Sequence, residues 1–412
     1  MNVALYGALA AALGLPLYSY IGYPALLWLA TLARRAPRLL AGPHYLADWP
    51  LVSITIPVYN EAAVIADTLE RVLAIDYPPQ RRQILVVSDA SSDGTDDIVA
   101  RYAERGVELL RLTRRSGKTA AENATRPLLR GDLIVNTDAS VRIHPQAIKA
   151  LVAALADPTV GVASGCDVSV AQLSGANRGE QAYVGYEMRV RQLETRVAGI
   201  VGASGCLYAI RAQLHREFVP EDLSRDFAAA LLARRAGWRA VSVPDAVCYV
   251  PRGGSLRQEY RRKVRTMARG LRTLWYLRTL LNPVRYGAFA WMLVSHKLCR
   301  WLVPWALAGA LGVVATLAVA DRSTWAQVLL GGGAAVLALA FVGWRWPERR
   351  PVPRALALPA YLVSGTVAAL SAWLLALRGV GTAMWEPTRR GPHPHPPHPL
   401  NPSPRCGEEV RG

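Results

Sequence analysis

Cysteine is scarce and scattered. The five in 412 residues are Cys166, Cys206, Cys248, Cys299 and Cys406, and no two form a CxxC pair. That spacing argues against a zinc ribbon or a disulfide framework, which need paired cysteines. No G-x-G-x-x-G follows the first β-like run at Val52–Ile56. Without those glycines a dinucleotide pyrophosphate cannot approach the backbone, which argues against a dinucleotide-dependent oxidoreductase. Gly117-Lys118-Thr119 has the ending of a P-loop, but Leu112 stands where that motif requires its first glycine.

Charge is absent from four long stretches. Val3 to Ala33 has none and stops at Arg34-Arg35, and Trp301–Ala320, Ala326–Trp344 and Ala355–Leu377 are equally bare. A membrane span needs about 20 apolar residues, and all four qualify. The first lacks the basic leader and short core of a secretory signal, so a retained helix is expected over residues 1–35. Pro16 and Pro24 are expected to bend it. Arginines mark the cytoplasmic side. Arg34, Arg35 and Arg38 follow the first span, and Arg345, Arg349, Arg350 and Arg354 lie between the third and fourth. The expectation is a multi-pass protein of the cytoplasmic membrane, its polar middle facing the cytoplasm.

What is abundant is positive charge. Lys and Arg total 48 against 30 acidic residues, a net +18. Much of the excess crowds membrane-proximal sequence such as Arg252–Arg285, so anionic lipid headgroups, not nucleic acid, are the expected partner. Residues 283–300 are apolar but carry His296, Lys297 and Arg300 on one helical face, as in a helix lying in the membrane interface. The end, 386–412, is rich in Pro and His and is expected to be disordered.

Between the spans, apolar runs alternate with amphipathic ones, which predicts an α/β domain over residues 50–282 with a mostly parallel sheet covered by helices. Two strands joined by a helix place their C-terminal ends on one edge, where ligands of such sheets bind. The first strand ends in Pro57-Val-Tyr59-Asn60-Glu61 and the next in Asp89, opening a Ser/Asp/Gly turn. A carboxylate there can accept hydrogen bonds from a base or ribose. Arg115-Ser-Gly117-Lys118 follows the third strand, a glycine turn and a cation suited to an anion. The fourth strand ends in Asp138, and carboxylate plus phosphate oxygens suit a hard cation, Mg²⁺ or Mn²⁺. Gly202-Ala-Ser204-Gly205 lets backbone approach a ligand closely. Asp226 opens a helical run as a cap or, in a cleft, as a general base. Arg262, Lys263, Arg265 and Arg269 form a basic cluster, either a lipid-facing surface or a phosphate clamp.

This constellation resembles the membrane-bound family 2 glycosyltransferases, relatives of the cellulose, hyaluronan and poly-N-acetylglucosamine synthases, from about Val52 to Trp305. The resemblance implies a GT-A fold and a nucleotide-sugar donor, most often a UDP-sugar. It also implies a lipid-linked or glycan acceptor and room for partners in an export complex. By resemblance, Pro57–Glu61 and Asp89 serve the nucleotide, Asp138 the metal, Gly202–Gly205 the acceptor side, and Asp226 is the catalytic base. Three departures stand out. Asp138-Ala139-Ser140 lacks the second carboxylate of the family's metal motif. Arg225 precedes Asp226 where an acid is usual. Neither Gln258–Arg262 nor Lys263–Met267 supplies the tryptophan of the processive Gln-x-x-Arg-Trp motif. The competing expectation is a non-catalytic nucleotide-sugar-binding subunit of a glycan synthesis or export complex.

Overall fold

The computed structural model describes residues 2–32, 48–170, 178–251, 256–347 and 352–379. Arg34, Arg35, Arg38, Arg349, Arg350 and the tail at 386–412 lie outside the described residues. The chain opens with α1 (Asn2–Leu17) and α2 (Tyr23–Leu32), joined by a π-turn at Tyr18–Gly22. Proline removes an N–H and crowds the preceding turn, and here the ladder widens between Pro16 and Pro24.

The α/β domain follows as β1 (Val52–Val58), α3 (Ile65–Leu73), β2 (Arg82–Ser88), α4 (Thr95–Ala100), β3 (Val107–Arg111), α5 (Lys118–Thr125) and β4 (Leu133–Thr137). It continues with β5 (Arg142–Ile143), α6 (Ala147–Leu155), β6 (Val160–Val170), α7 (Arg178–Val197), β7 (Leu207–Arg211), α8 (Ala212–His215), α9 (Arg225–Arg235) and β8 (Arg239–Pro251). Last come α10 (Leu256–Tyr276), α11 (Pro283–Tyr286), α12 (Ala288–Leu293), α13 (Arg300–Val319), α14 (Thr324–Arg345) and α15 (Arg354–Leu377).

The eight strands form one sheet in the order β3-β2-β1-β4-β7-β6-β8-β5. β1 is buried at all seven positions, as expected of a parallel strand covered on both faces. It pairs in parallel with β2 and β4, and β2 with β3. The C-terminal ends of these four strands therefore share an edge. β7 runs antiparallel to β4, with Leu207 opposite Thr137. That reversal brings the turn before β7 to the same edge. The sheet is more mixed than expected, because β6 and β5 also make antiparallel pairs. Among the described residues Cys299 carries a free thiol.

Four helices are long and apolar enough to cross a membrane: Val3–Leu32, Ala288–Val319, Thr324–Arg345 and Ala355–Leu377. The second begins before the expected span, because α12 runs through a π-turn at Val294–Cys299 into α13. The interfacial helix expected at 283–300 is thus absorbed into that long helix. His296 and Arg300 are only 2% and 6% exposed. His296 hydrogen-bonds Glu194 at 2.5 Å and Glu187 at 3.0 Å, and Arg300 pairs with Glu187. Tyr23 donates to Glu194 at 2.6 Å. Removing one member of a buried charge network costs roughly 3–5 kcal/mol, so α7 is clamped to both the first helix and the 288–319 helix.

Candidate active site

The ends of β1 and β2 are stitched together by side chains. Ser91 Oγ accepts from Asn60 N at 3.1 Å, Asn60 Oδ1 from Ser92 N at 2.8 Å, and Thr95 Oγ1 from Glu61 N at 2.9 Å. Thr95 therefore serves the neighbouring loop, and Gly94, in the left-handed region, is the residue that caps α4. Asn60 and Ala90 hold φ of 52° and 58°. Left-handed backbone at non-glycine residues is strained, and such strain gathers at functional sites. The Arg115 guanidinium lies 3.9 Å above the Tyr59 ring, and Pro57 is buried in β1 below.

Asp89, 2% exposed, does not hang free at the edge. Its two oxygens accept from Ser116 N at 2.6 Å and Gly117 N at 2.8 Å. Asp89 shapes the loop that delivers Lys118. Asp89→Ala is expected to unfasten that loop and to weaken nucleoside diphosphate binding about tenfold, the scale of a charge-assisted hydrogen bond. Calorimetry with UDP or GDP on the full chain checks this.

Lys118 is the hub. Its Nζ donates to Asp138 Oδ1 at 2.5 Å and to the Gly205 carbonyl at 3.1 Å. Burial alone would push the ammonium down, but Asp138, Glu122 and Asp226 hold it above the ordinary lysine value. Asp226, in the first turn of α9, accepts from the Ser224 hydroxyl at 2.5 Å. A Cβ on Gly205 would sit 2.7 Å from Asp226 Oδ2, so only glycine leaves that carboxylate its place. Asp89, Lys118, Asp138, Gly205 and Asp226 thus occupy one continuous site, although their strand ends and turns are far apart in sequence.

The Gly202–Gly205 turn is equally packed. Ser204 Oγ donates to Asp167 at 2.6 Å, and a Cβ on Gly202 would meet Phe227 at 3.1 Å. The basic cluster of α10 does not converge as a clamp. Arg269 is buried and donates to Thr119 Oγ1 at 2.5 Å and to the Leu223 carbonyl. Arg262 and Lys263 pair with Glu259, and Lys263 also lies over Tyr361 of α15. Arg265 is half-buried on the same helix. Thr273 Oγ1 accepts from Ser224 N at 2.9 Å and Arg272 pairs with Asp222, so α10 braces the segment leading into Asp226.

Two residues escaped sequence reasoning. Asp167 holds Ser204 from mid-strand, where a lone Asp carries no motif. Glu122 is 1% exposed, with neither carboxylate oxygen hydrogen-bonded and Arg225 at 4.0 Å. Burial pushes its carboxyl up, with Lys118 and Arg225 opposing. Its i, i+4 spacing from Lys118 was the available signal. Arg225, the unusual neighbour of Asp226, thus has its acid on α5.

A divalent cation would find one protein carboxylate here. Among the described residues no group of three His, Cys, Asp or Glu could hold a metal ion. Hard cations take six or more oxygens, about. Asp138 therefore fits as a single anchor for an ion carrying most of its oxygens from a diphosphate and water.

Comparison with known proteins adds to this geometry. Residues 53–217 match the family Glycosyl transferase family 2. An N-acetylglucosaminyltransferase of Mesorhizobium japonicum is 29% identical over 259 residues, covering 56% of this chain and 59% of the relative. An undecaprenyl-phosphate 4-deoxy-4-formamido-L-arabinose transferase of Aeromonas hydrophila is 36% identical over 111 residues, 26% of this chain and 34% of the relative. The chain spans less than two thirds of the length of either curated relative. Among solved structures, a mannosyltransferase of Pyrobaculum calidifontis in complex with GDP-Man and Mn²⁺ superposes with a TM-score of 0.68. It is 26% identical, over 90% of this chain and 99% of that one.

Proposed function

We propose, from the premise that this chain belongs to glycosyl transferase family 2 and has its GT-A fold, that it transfers a sugar from a nucleotide sugar to a lipid-linked or polysaccharide acceptor, with inversion, in cell-envelope or exopolysaccharide synthesis. The observation that carries this reading is the Lys118 hub, whose ammonium bridges Asp138 and the Gly205 carbonyl beside the Asp226 carboxylate. One side of that hub suits a departing diphosphate and the other an incoming hydroxyl.

In the reaction the acceptor oxygen attacks the anomeric carbon while the bond from that carbon to the diphosphate oxygen breaks. Asp226 takes the acceptor proton, and the electron pair leaves with the nucleoside diphosphate. Lys118 meets the growing charge on that leaving group, the kind of preset electrostatic contact that lowers barriers most. The Asp89-bound loop, with Arg115 stacked on Tyr59, holds the nucleotide end. Mg²⁺ or Mn²⁺ anchored by Asp138 would supply further charge neutralisation at the diphosphate. A Mn²⁺ complex of the Pyrobaculum mannosyltransferase supports that choice of ion class.

The transferred group is a hexosyl or N-acetylhexosaminyl unit, with UDP-sugars first among donors. The four apolar helices and the arginines at their ends support a cytoplasmic-membrane protein with this domain facing the cytoplasm. Membranes holding the full chain should move radiolabel from one of UDP-, GDP- or dTDP-sugars, with Mg²⁺ or Mn²⁺, into a lipid-extractable or polymeric product. Nucleotide binding with no label transferred across the panel would favour the non-catalytic subunit instead.

A further inference from the structure

We infer that Lys297 and Arg191 form an anion site on the acceptor side of Asp226, which takes the phosphate of a membrane-lipid headgroup. This rests on the transferase reading above and narrows its acceptor to a lipid whose phosphate lies a short group away from the attacking hydroxyl. Lys297 belongs to the π-turn at Val294–Cys299 of the membrane helix. The widened turn sends His296 and Arg300 toward Glu194 and Glu187, and leaves Lys297 facing the catalytic domain. A Cβ on Gly202 would lie 3.6 Å from Lys297 Cε, and Nζ sits 5.6 Å from the centroid of Phe227, the residue after Asp226.

The nearby carboxylates are already spent. Glu194 serves Tyr23 and His296, and Glu187 serves His296 and Arg300. Among the described residues the Lys297 side chain has no hydrogen bond or ion pair, only the Phe227 ring. Arg191 lies between the two glutamates on α7, and its Nη1 is buried with no hydrogen-bond partner. Three basic side chains, Arg191, Lys297 and Arg300, thus face two carboxylates, and each keeps an unspent donor, Nη1 on Arg191 and Nε on Arg300. An unmatched cation beside a reaction site calls for an anion that arrives with the substrate.

Depth selects a lipid over a soluble phosphate. Trp305 and Leu311, further along the same helix, are 45% and 56% exposed and face outward. At a rise of 1.5 Å per residue, Lys297 lies about 12 Å along the helix from Trp305. Tryptophan favours the level of the headgroups. A lipid standing beside α13 would therefore bring its phosphate near Lys297 and its distal hydroxyl toward Gly205 and Asp226.

The test uses the full chain in nanodiscs of neutral phosphatidylcholine, titrated with hexadecyl phosphate, hexadecanol or inorganic phosphate and followed by thermophoresis. Hexadecyl phosphate should bind the wild type, with hexadecanol and inorganic phosphate at least tenfold weaker. Lys297→Gln and Arg191→Gln should each weaken hexadecyl phosphate about tenfold, and Lys297→Arg should stay within threefold of wild type. UDP or GDP affinity, measured on the same samples, should be unchanged in Lys297→Gln. Equal hexadecyl phosphate binding by wild type and Lys297→Gln, or none by wild type, overturns the inference. Inorganic phosphate binding as tightly as the lipid overturns the lipid assignment. Failure of the nucleotide to bind any of these proteins would instead remove the transferase reading while leaving the anion site standing.

Discussion

Asp226→Asn should lower the rate of sugar transfer by about 10²–10⁴, the usual contribution of a positioned general base, with donor affinity within threefold of wild type. The substitution is nearly isosteric. Asparagine keeps an oxygen for the Ser224 hydroxyl and fits the same space against Gly205. The segment before it stays braced by Arg269, Arg272 and Thr273 of α10. A loss of rate with unchanged melting temperature and unchanged nucleotide binding therefore reports the missing proton acceptor. Initial rates with saturating donor, set beside a thermal melt, check it. A variant as fast as wild type would remove Asp226 from the mechanism.

Gly205→Ala should cost about 10²-fold in kcat through displacement alone. Its new Cβ would lie 2.7 Å from Asp226 Oδ2 and 3.5 Å from Cγ. The obstructing group is the end of a side chain, so the fold can yield by rotating the carboxylate. That rotation moves the proton acceptor from beside the Lys118 hub, where Gly205 also lends its carbonyl. The backbone conformation at Gly205 is not one reserved for glycine, so no strain adds to the effect. Donor KM should change little, and kcat should carry the loss. A drop confined to KM would mean that Gly205 serves the nucleotide and not the base.

The strand ends were legible because each is a short apolar run closed by polar residues, and burial on both faces demands that pattern. Asp89 and Asp138 could be assigned to one edge from the alternation of strands and helices, whereas Asp226 joined them only through the family resemblance. What each carboxylate touches was not legible. Asp89 spends both oxygens on loop amides, and that choice depends on a loop geometry twenty-seven residues away in the chain. α4 stops at Ala100, and the chain breaks into a 3₁₀ turn that Gly106, in the left-handed region, closes. β6 and β8 run past their apolar cores, to Val170 and Pro251, through register shifts that no period-two pattern reveals.

The stretch 283–300 misled for a physical reason. Placing His296, Lys297 and Arg300 on one face assumes regular helical spacing, and the π-turn at Val294–Cys299 breaks it. The acids that receive two of those charges, Glu187 and Glu194, sit about a hundred residues earlier on α7. The basic run on α10 was likewise split by contacts with α5, α15 and the Asp226 segment, so its arginines brace the site without lining it as a set.

The central claim is that a diphosphate sits at the Lys118 hub with Asp226 across from it. Electron cryomicroscopy of the full chain in nanodiscs, with Mn²⁺ and whichever of UDP or GDP binds in calorimetry, tests it directly. Diphosphate density is expected against Lys118 and Asp138, with the base beside Tyr59 and Arg115. Density settling in the basic pocket lined by Arg126 and Arg216, with the Lys118–Asp138 contact untouched, would contradict it.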